Sequence, residues 1–260
     1  MTSTQITEAA QKLFQAETGK NPIHPLVEEY PGLSVSDAYQ IQVALIGLKL
    51  AKGARVVGKK TGLTSKAMQQ MLGVTEPDFG HLLDTMMVGD GESVPLAGLI
   101  QPKVEAEIAF ILERDLKGPG IGIEDVLQAT ASVVASLEII DSRIENWKIR
   151  LADTIADNAS GSGFVLGKKR VSPKGLDLRL MGMVFEKNGE VIVTGAGAAV
   201  LGHPAAAVAW LANQLAEFGF SLKAQEVILP GALCGAVAVG AGDVVTATFD
   251  RLGSVSVRFI

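Results

Sequence analysis

QPKVEAEIAFIL, residues 101–112, places Glu105 and Glu107 two positions apart in a run that is otherwise almost entirely apolar. A β-strand alternates its faces, so residues two apart point the same way, roughly 6.5–7 Å from each other along the chain. On that reading the two glutamates share one face. Val104, Ala106, Ile108, Phe110 and Leu112 line the other and pack on a core. Two like charges at that separation repel by roughly 2–3 kcal/mol at an effective dielectric near 20, and burial adds to the cost. The sequence therefore predicts a compensating partner: protein cations, protonation of one acid, or a bound metal ion.

Composition limits what that partner serves. At 260 residues with 48% hydrophobic side chains, the chain has ample apolar material for a sizeable core. The net charge of −5 and the absence of a Lys/Arg block argue against a nucleic-acid partner. The single cysteine, Cys234, excludes an intrachain disulfide framework and fits a reducing compartment. The N-terminal MTSTQITEAAQKLFQAETGK has no basic start followed by an apolar core, and no uncharged apolar stretch reaches membrane-spanning length. A cytoplasmic location is the resulting expectation.

Outward from the opening strand, residues 1–53 read as a helical region and 54–260 as a β-rich catalytic domain. Ile6, Ala9, Leu13 and Phe14 fall at helical spacing. A second helix follows in SVSDAYQIQVALIGLKLAKG, with Ser34 or Ser36 as its cap and Gly53 at its end. Strands are predicted at 54–60, 103–112, 133–140, 163–167, 179–186, 190–194, 226–229 and 244–258, with Lys187-Asn188-Gly189 as one of the turns. Helices are predicted at 65–72, 123–131 and 204–218. The class is α+β rather than a regular βαβ repeat.

A third acid gives the opening pair its chemistry. In SVVASLEIIDSRIENW, Glu138 lies in a second apolar, β-branched run that ends at Asp141. Three carboxylates without neighbouring Cys or His ligands make a hard-donor set suited to Mg²⁺ or Mn²⁺. The plainer alternative is a solvated sheet face bearing Glu105 and Glu107, with Glu138 paired to an arginine. In ARVVGKKTGLTSKAMQQ only one of Lys59 and Lys60 can point inward. An inward lysine beside a metal would have a lowered pKa and could move protons, whereas the plainer reading makes both surface lysines. Asp78, Asp157, Asn158 and Ser160 lie in polar segments able to contact a small ligand, although such residues also favour ordinary turns.

Other motifs do not carry chemistry. The glycines at 195, 197 and 202 lack dinucleotide-binding spacing; the stretch reads as a glycine turn before a helix opened by Pro204, with His203 at its start. Cys234 reads as a buried apolar thiol.

Together, VVGKKTGLTSKAMQQMLGVTEPDFGHL, QPKVEAEIAFILERDLKGPG, LEIIDSRIENWKI, DTIADNAS and GAGAAVLGHPAAAVAWLAN resemble the 2-hydroxypentadienoate hydratase and 4-oxalocrotonate decarboxylase family, within the fumarylacetoacetate hydrolase superfamily. The resemblance spans nearly the whole chain, and TSKAMQQMLGV, PDFG and the DT before IADNAS are closer to the hydratase branch. It implies a mixed β-roll or barrel-like sheet with an N-terminal helical part, and homo-oligomers that are often decamers. It also implies metal-binding acids at Glu105, Glu107 and Glu138, an active-site lysine at Lys60 with Lys59 as its outward neighbour, and Asp78 and Ser160 around the substrate.

The activity implied is metal-dependent addition of water to 2-hydroxypenta-2,4-dienoate, giving 4-hydroxy-2-oxopentanoate in meta-cleavage degradation of aromatic compounds. Decarboxylation of 2-oxo-3-hexenedioate is the alternative, and an inactive structural partner in a hydratase–decarboxylase complex is a third reading that the retained acids and lysine oppose. Carbon–carbon hydrolysis ranks lower for want of a histidine–glutamate pair placed to activate water. Two positions depart from the family pattern: Gly161, where a cysteine is common, and Pro230, where a Ser or Thr is common.

Overall fold

The computed structural model describes residues 1–66, 69, 70 and 73–260. Helix α1 (Ser3–Gly19) opens with a reciprocal Thr2/Gln5 capping box, α2 (Leu26–Glu29) is one turn, and α3 (Val35–Leu50) is capped by Ser34 with Asp37. Ser34 rather than Ser36 is therefore the cap. The helix predicted at 65–72 falls partly on residues 67, 68, 71 and 72, which lie outside the described residues. The later helices are α4 (Ile123–Ala129), α5 (Leu151–Ala156) and α6 (Pro204–Glu217). Pro204 sits in the first turn of α6, and the His203 ring accepts the Ala205 N–H, so His203 is a helix cap.

Strands β1 (Val56–Gly62), β2 (Asp78–Leu83), β3 (Met87–Val88) and β4 (Ser93–Val94) precede β5 (Lys103–Leu112), β6 (Thr130–Ile140) and β7 (Gly161–Leu166). After them come β8 (Gly182–Lys187), β9 (Glu190–Ala196), β10 (Val227–Leu229), β11 (Val237–Ala238), β12 (Val244–Phe249) and β13 (Gly253–Phe259). One mixed sheet runs β2-β1-β10-β5-β6-β7-β3 with β11 also on β5; a second runs β4-β13-β12-β8-β9. The α+β class and mixed sheet agree with the sequence reading.

The departures have local causes. The run predicted at 244–258 is a hairpin, because Arg251 and Gly253 adopt φ of 60° and 85° and reverse the chain. Strands β2, β3, β4 and β11 were not predicted; β3, β4 and β11 have two residues each, too few for any periodicity to show. Helix α5 begins at Leu151 and runs into the polar segment DTIADNAS, ending at Ala156.

A single apolar cluster joins Ala9, Leu13, Ile41 and Leu45 of the N-terminal helices to Val104, Ile108, Leu137 and Val257 of the sheets. One buried polar residue also ties these parts together. Gln42 donates to the Phe79 and Ile155 carbonyls at 2.8 Å each, and its Oε1 meets His81 Nδ1 at 3.1 Å. Burial, aided by the Lys59 ammonium, holds the His81 pKa down to about 3.

The unfolded chain takes up that proton near the ordinary value of 6.5, so the neutral imidazole contributes stability above that pH. The contribution falls as pH drops from about 6.5 toward 3, by at most about 1.4 kcal/mol per pH unit. Thermal melts at pH 7 and pH 5 should show a smaller acid-induced drop for His81→Asn than for the wild type. An identical drop would remove His81 from the account.

Candidate active site

The register of β5 and β6 brings the acids together. Glu105 lies directly opposite Glu138, and Glu107 opposite Ser136. Carboxylate oxygens of Glu105, Glu107 and Glu138 lie within 4.8 Å of one another. The alternate residues Val104, Ala106 and Ile108 are wholly buried in the core, so the alternation in the sequence is what aims the acids to the other face. Glu107 and Glu138 are wholly buried as well, and Glu105 is half-buried. The solvated-face alternative therefore fails, and the cation beside Glu138 is a lysine rather than an arginine.

Only part of this oxygen array is satisfied by the protein. Gly231 N–H donates to Glu107 Oε2 at 2.7 Å. Glu107 Oε1 and both Glu138 oxygens are buried without an aligned hydrogen-bond donor. Gly231 can make its bond because it has φ +113° and no side chain: a Cβ there would stand 2.0 Å from Thr64 Oγ1. Burial pushes all three glutamates above the usual carboxylate range, Glu105 to about 7; the charge of neighbouring glutamates adds to the rise at Glu105 and Glu107, whereas at Glu138 the Lys60 ammonium opposes it. An all-oxygen cluster with unsatisfied buried lone pairs fits a hard divalent cation such as Mg²⁺ or Mn²⁺.

Lys60 enters from β1. Its Nζ donates to the Ala159 carbonyl at 2.8 Å and lies 3.0 Å from Glu138 Oε1. Burial draws its pKa down, but the fields of Glu138, Asp78, Glu105 and Glu107 outweigh this and hold the ammonium above its ordinary value. The density of negative charge from the acids alone thus raises the lysine pKa; the lowering expected from the sequence applies to a lysine beside a bound cation. Lys59 does point to the opposite face, yet it is not at the surface: it is 8% exposed and paired with Glu226 at 3.0 Å.

Asp78, at the start of β2, accepts from Thr154 Oγ1 at 3.2 Å through Oδ2, while Oδ1 has no hydrogen-bond partner. Burial raises its pKa against the opposing pull of Lys60. Ser160 Oγ is likewise buried without a partner. It ends a turn in which Asn158, Ala159 and Ser160 have φ of 54°, 48° and 54°. Consecutive left-handed residues other than glycine cost about 1–2 kcal/mol each, so surrounding bonds must hold them.

Asp157 and Asn158 supply those bonds and do not contact the acid cluster. Asp157 receives the Arg143 guanidinium and backbone N–H, and Asn158 bonds the His81 N–H and carbonyl at 2.8 and 3.0 Å. Asp141 is similarly occupied, accepting from the Ile100 and Gln101 amides. Sequence reasoning did not identify Gly231, Thr154 or the Ala159 carbonyl; two of the three act through, or depend on, backbone groups that side-chain identity does not reveal.

Residues 50–260 match the family model described as fumarylacetoacetate (FAA) hydrolase C-terminal. The chain is 51% identical over 259 residues to a 2-keto-4-pentenoate hydratase of Paraburkholderia xenovorans strain LB400, covering 100% of this chain and 96% of that one. It is 48% identical over 262 residues to a 2-hydroxyhexa-2,4-dienoate hydratase of Comamonas testosteroni, covering 100% and 99%. Among solved structures it resembles 4-oxalocrotonate decarboxylase from Pseudomonas putida G7 complexed with magnesium and adipate, with a TM-score of 0.98, 43% identity and coverage of 100% and 99%. The barrel-like fold expected from the sequence is thus that of its structural relatives.

Two outcomes follow from the charge balance. In EDTA, Glu107→Gln should melt above the wild type, since it removes a buried like charge and keeps an acceptor for Gly231 N–H. The wild type should gain about 2.7 kcal/mol from Mg²⁺ at a hundred times its dissociation constant, and the variant far less. Protons compete for the raised carboxylates, so Mg²⁺ affinity measured calorimetrically should weaken from pH 8 to pH 6. A pH-independent affinity would count against these ligands.

Proposed function

The chain belongs to the fumarylacetoacetate hydrolase family, and from that premise we propose that it is a metal-dependent hydro-lyase. It adds water to 2-hydroxypenta-2,4-dienoate, the enol tautomer of 2-oxopent-4-enoate, to give 4-hydroxy-2-oxopentanoate in meta-cleavage catabolism. The observation that carries this reading is the three-glutamate cluster beside a buried, charged Lys60, in a chain about half identical to named hydratases along its length.

Glu105, Glu107 and Glu138 are assigned to hold Mg²⁺ or Mn²⁺. When bound, the ion supplies Lewis acidity that lowers the cost of negative charge on the substrate's enolate oxygen. Lys60, kept protonated by the surrounding carboxylates, adds positive charge beside that oxygen and can deliver a proton. Asp78 Oδ1 is free of protein donors, and its raised pKa suits it to hold and release a proton. The Ser160 hydroxyl, also without a protein partner, is placed to bond the substrate or the added water. In outline, the dienol loses its hydroxyl proton and gains one on C5, leaving an enone conjugated between C3 and C4. Water then adds at C4 while C3 takes a proton.

These assignments lie within residues 54–260, the proposed catalytic part, with 1–53 as its helical cover. Assembly as a homo-oligomer, in decamers as the family resemblance implies, a complex with a pathway decarboxylase and a cytoplasmic location belong to the same proposal. Among the described residues no helix is long and apolar enough to cross a membrane. A second reading, decarboxylation of 2-oxo-3-hexenedioate, draws on the structural likeness to the decarboxylase and would use the same enolate stabilisation, with CO₂ leaving.

EDTA-stripped protein mixed with freshly generated 2-hydroxypenta-2,4-dienoate should consume the dienol only after Mg²⁺ or Mn²⁺ is restored. Lys60→Met should lower kcat by about 10²–10⁴-fold while retaining metal affinity. Release of CO₂ from 2-oxo-3-hexenedioate without hydration of the dienol would replace the hydratase reading with the decarboxylase one.

A further inference from the structure

Arg143, just past the end of β6, is buried, and its guanidinium reaches both ends of the left-handed turn at Asn158–Ser160. Nη2 donates to the Asp157 carbonyl before the turn, and Nη1 to the Gly161 carbonyl after it at 3.2 Å. Nη1 also meets the Asp141 carbonyl, while Nε and the Arg143 backbone N–H bond the two carboxylate oxygens of Asp157. Backbone bonds complete the frame. Ser160 N–H donates to the Asp157 carbonyl at 2.9 Å, and the Ser160 carbonyl accepts the Asp141 N–H at 2.8 Å. Three consecutive left-handed residues other than glycine are unfavourable, so a turn released at either end would relax by rotating its peptides. The groups displaced would be the Ala159 carbonyl on Lys60 Nζ and the unpartnered Ser160 hydroxyl.

We propose that Arg143 is a positioning residue for the reaction: its planar fork spans the two carbonyls that flank the turn and so holds the Ala159 carbonyl on Lys60 and the Ser160 hydroxyl toward the substrate. It acts through the turn and not on the reacting atoms. A lysine in its place would keep a positive charge for Asp157 but has no rigid fork to bridge both ends. This inference rests on the reading above in which Lys60 and Ser160 serve the substrate, and it holds for hydration and decarboxylation alike.

The test is Arg143→Lys, alone and combined with Ser160→Ala. Calorimetric titration with Mg²⁺ counts the folded sites, and kcat per site is measured with whichever of 2-hydroxypenta-2,4-dienoate and 2-oxo-3-hexenedioate the wild type consumes. Arg143→Lys should lower kcat about tenfold while KM and Mg²⁺ affinity stay within about twofold of the wild type. In the Ser160→Ala background the same change should cost about threefold or less, because both substitutions act through one group. Amide hydrogen exchange should quicken over residues 157–161 and stay unchanged in β5. An unchanged kcat per site, or equal losses in the two backgrounds, would overturn the inference, since a purely structural defect multiplies both alike. If Arg143→Lys yields no folded sites, Asp157→Asn, which keeps the residue 157 carbonyl and weakens the grip on Nε, should show the same unequal losses, and equal losses there would also overturn it. A wild type that consumes neither substrate would instead overturn the catalytic reading, and the positioning role with it.

Discussion

Burying Glu105, Glu107 and Glu138 on adjacent strands is the constraint on which the rest of the site depends. A sheet position that holds a carboxylate away from water must compensate its charge or keep it protonated. The protein does part of each. One ammonium, Lys60, stands beside Glu138, one amide, Gly231 N–H, binds Glu107, and the acids retain raised proton affinities. The remaining deficit is positive charge with an appetite for oxygen. The cluster is thus poor as a structural device and well suited as a receptor for a divalent cation.

Register turns that local cost into a precise site. Because side chains alternate with a period of two, a one-residue slip of β5 against β6 would carry the glutamates onto the core face and Val104, Ala106 and Ile108 into the site. The wholly apolar environment of those three residues penalises the slip strongly. The hydrophobic core and the placement of the acids are therefore two consequences of one alternation. The N-terminal helices join the same core, and Gln42 links α3 to β2 and α5.

The turn at Asn158–Ser160 shows a different division of labour. Its left-handed backbone is unfavourable in isolation, yet Arg143 holds the flanking Asp157 and Gly161, the Asp157 carbonyl accepts the Ser160 N–H, and His81 bonds Asn158. The arrangement directs the Ala159 carbonyl to Lys60 and leaves the Ser160 hydroxyl unengaged. Lys60 and Asp78 then form a complementary pair of environments: negative charge keeps the lysine protonated, and burial raises the affinity of the aspartate for a proton.

Features encoded by local spacing were legible in the sequence. The β5 alternation, the shared face of Glu105 and Glu107, the helix starts near Ser34 or Ser36 and at His203, and the Lys187-Asn188-Gly189 reversal all arise within a few residues, where periodicity and backbone chemistry act directly. The membership of Lys60, Asp78 and Ser160 in one neighbourhood was legible only through resemblance. What the tertiary structure alone decided were the long-range matters: that Glu138 stands opposite Glu105, that Lys59 is buried against Glu226, that the inward lysine is held charged, and that Gly231 reaches Glu107. Electrostatic fields and burial sum over groups distant in the chain, so one segment can state which groups it offers but not which charges will surround them.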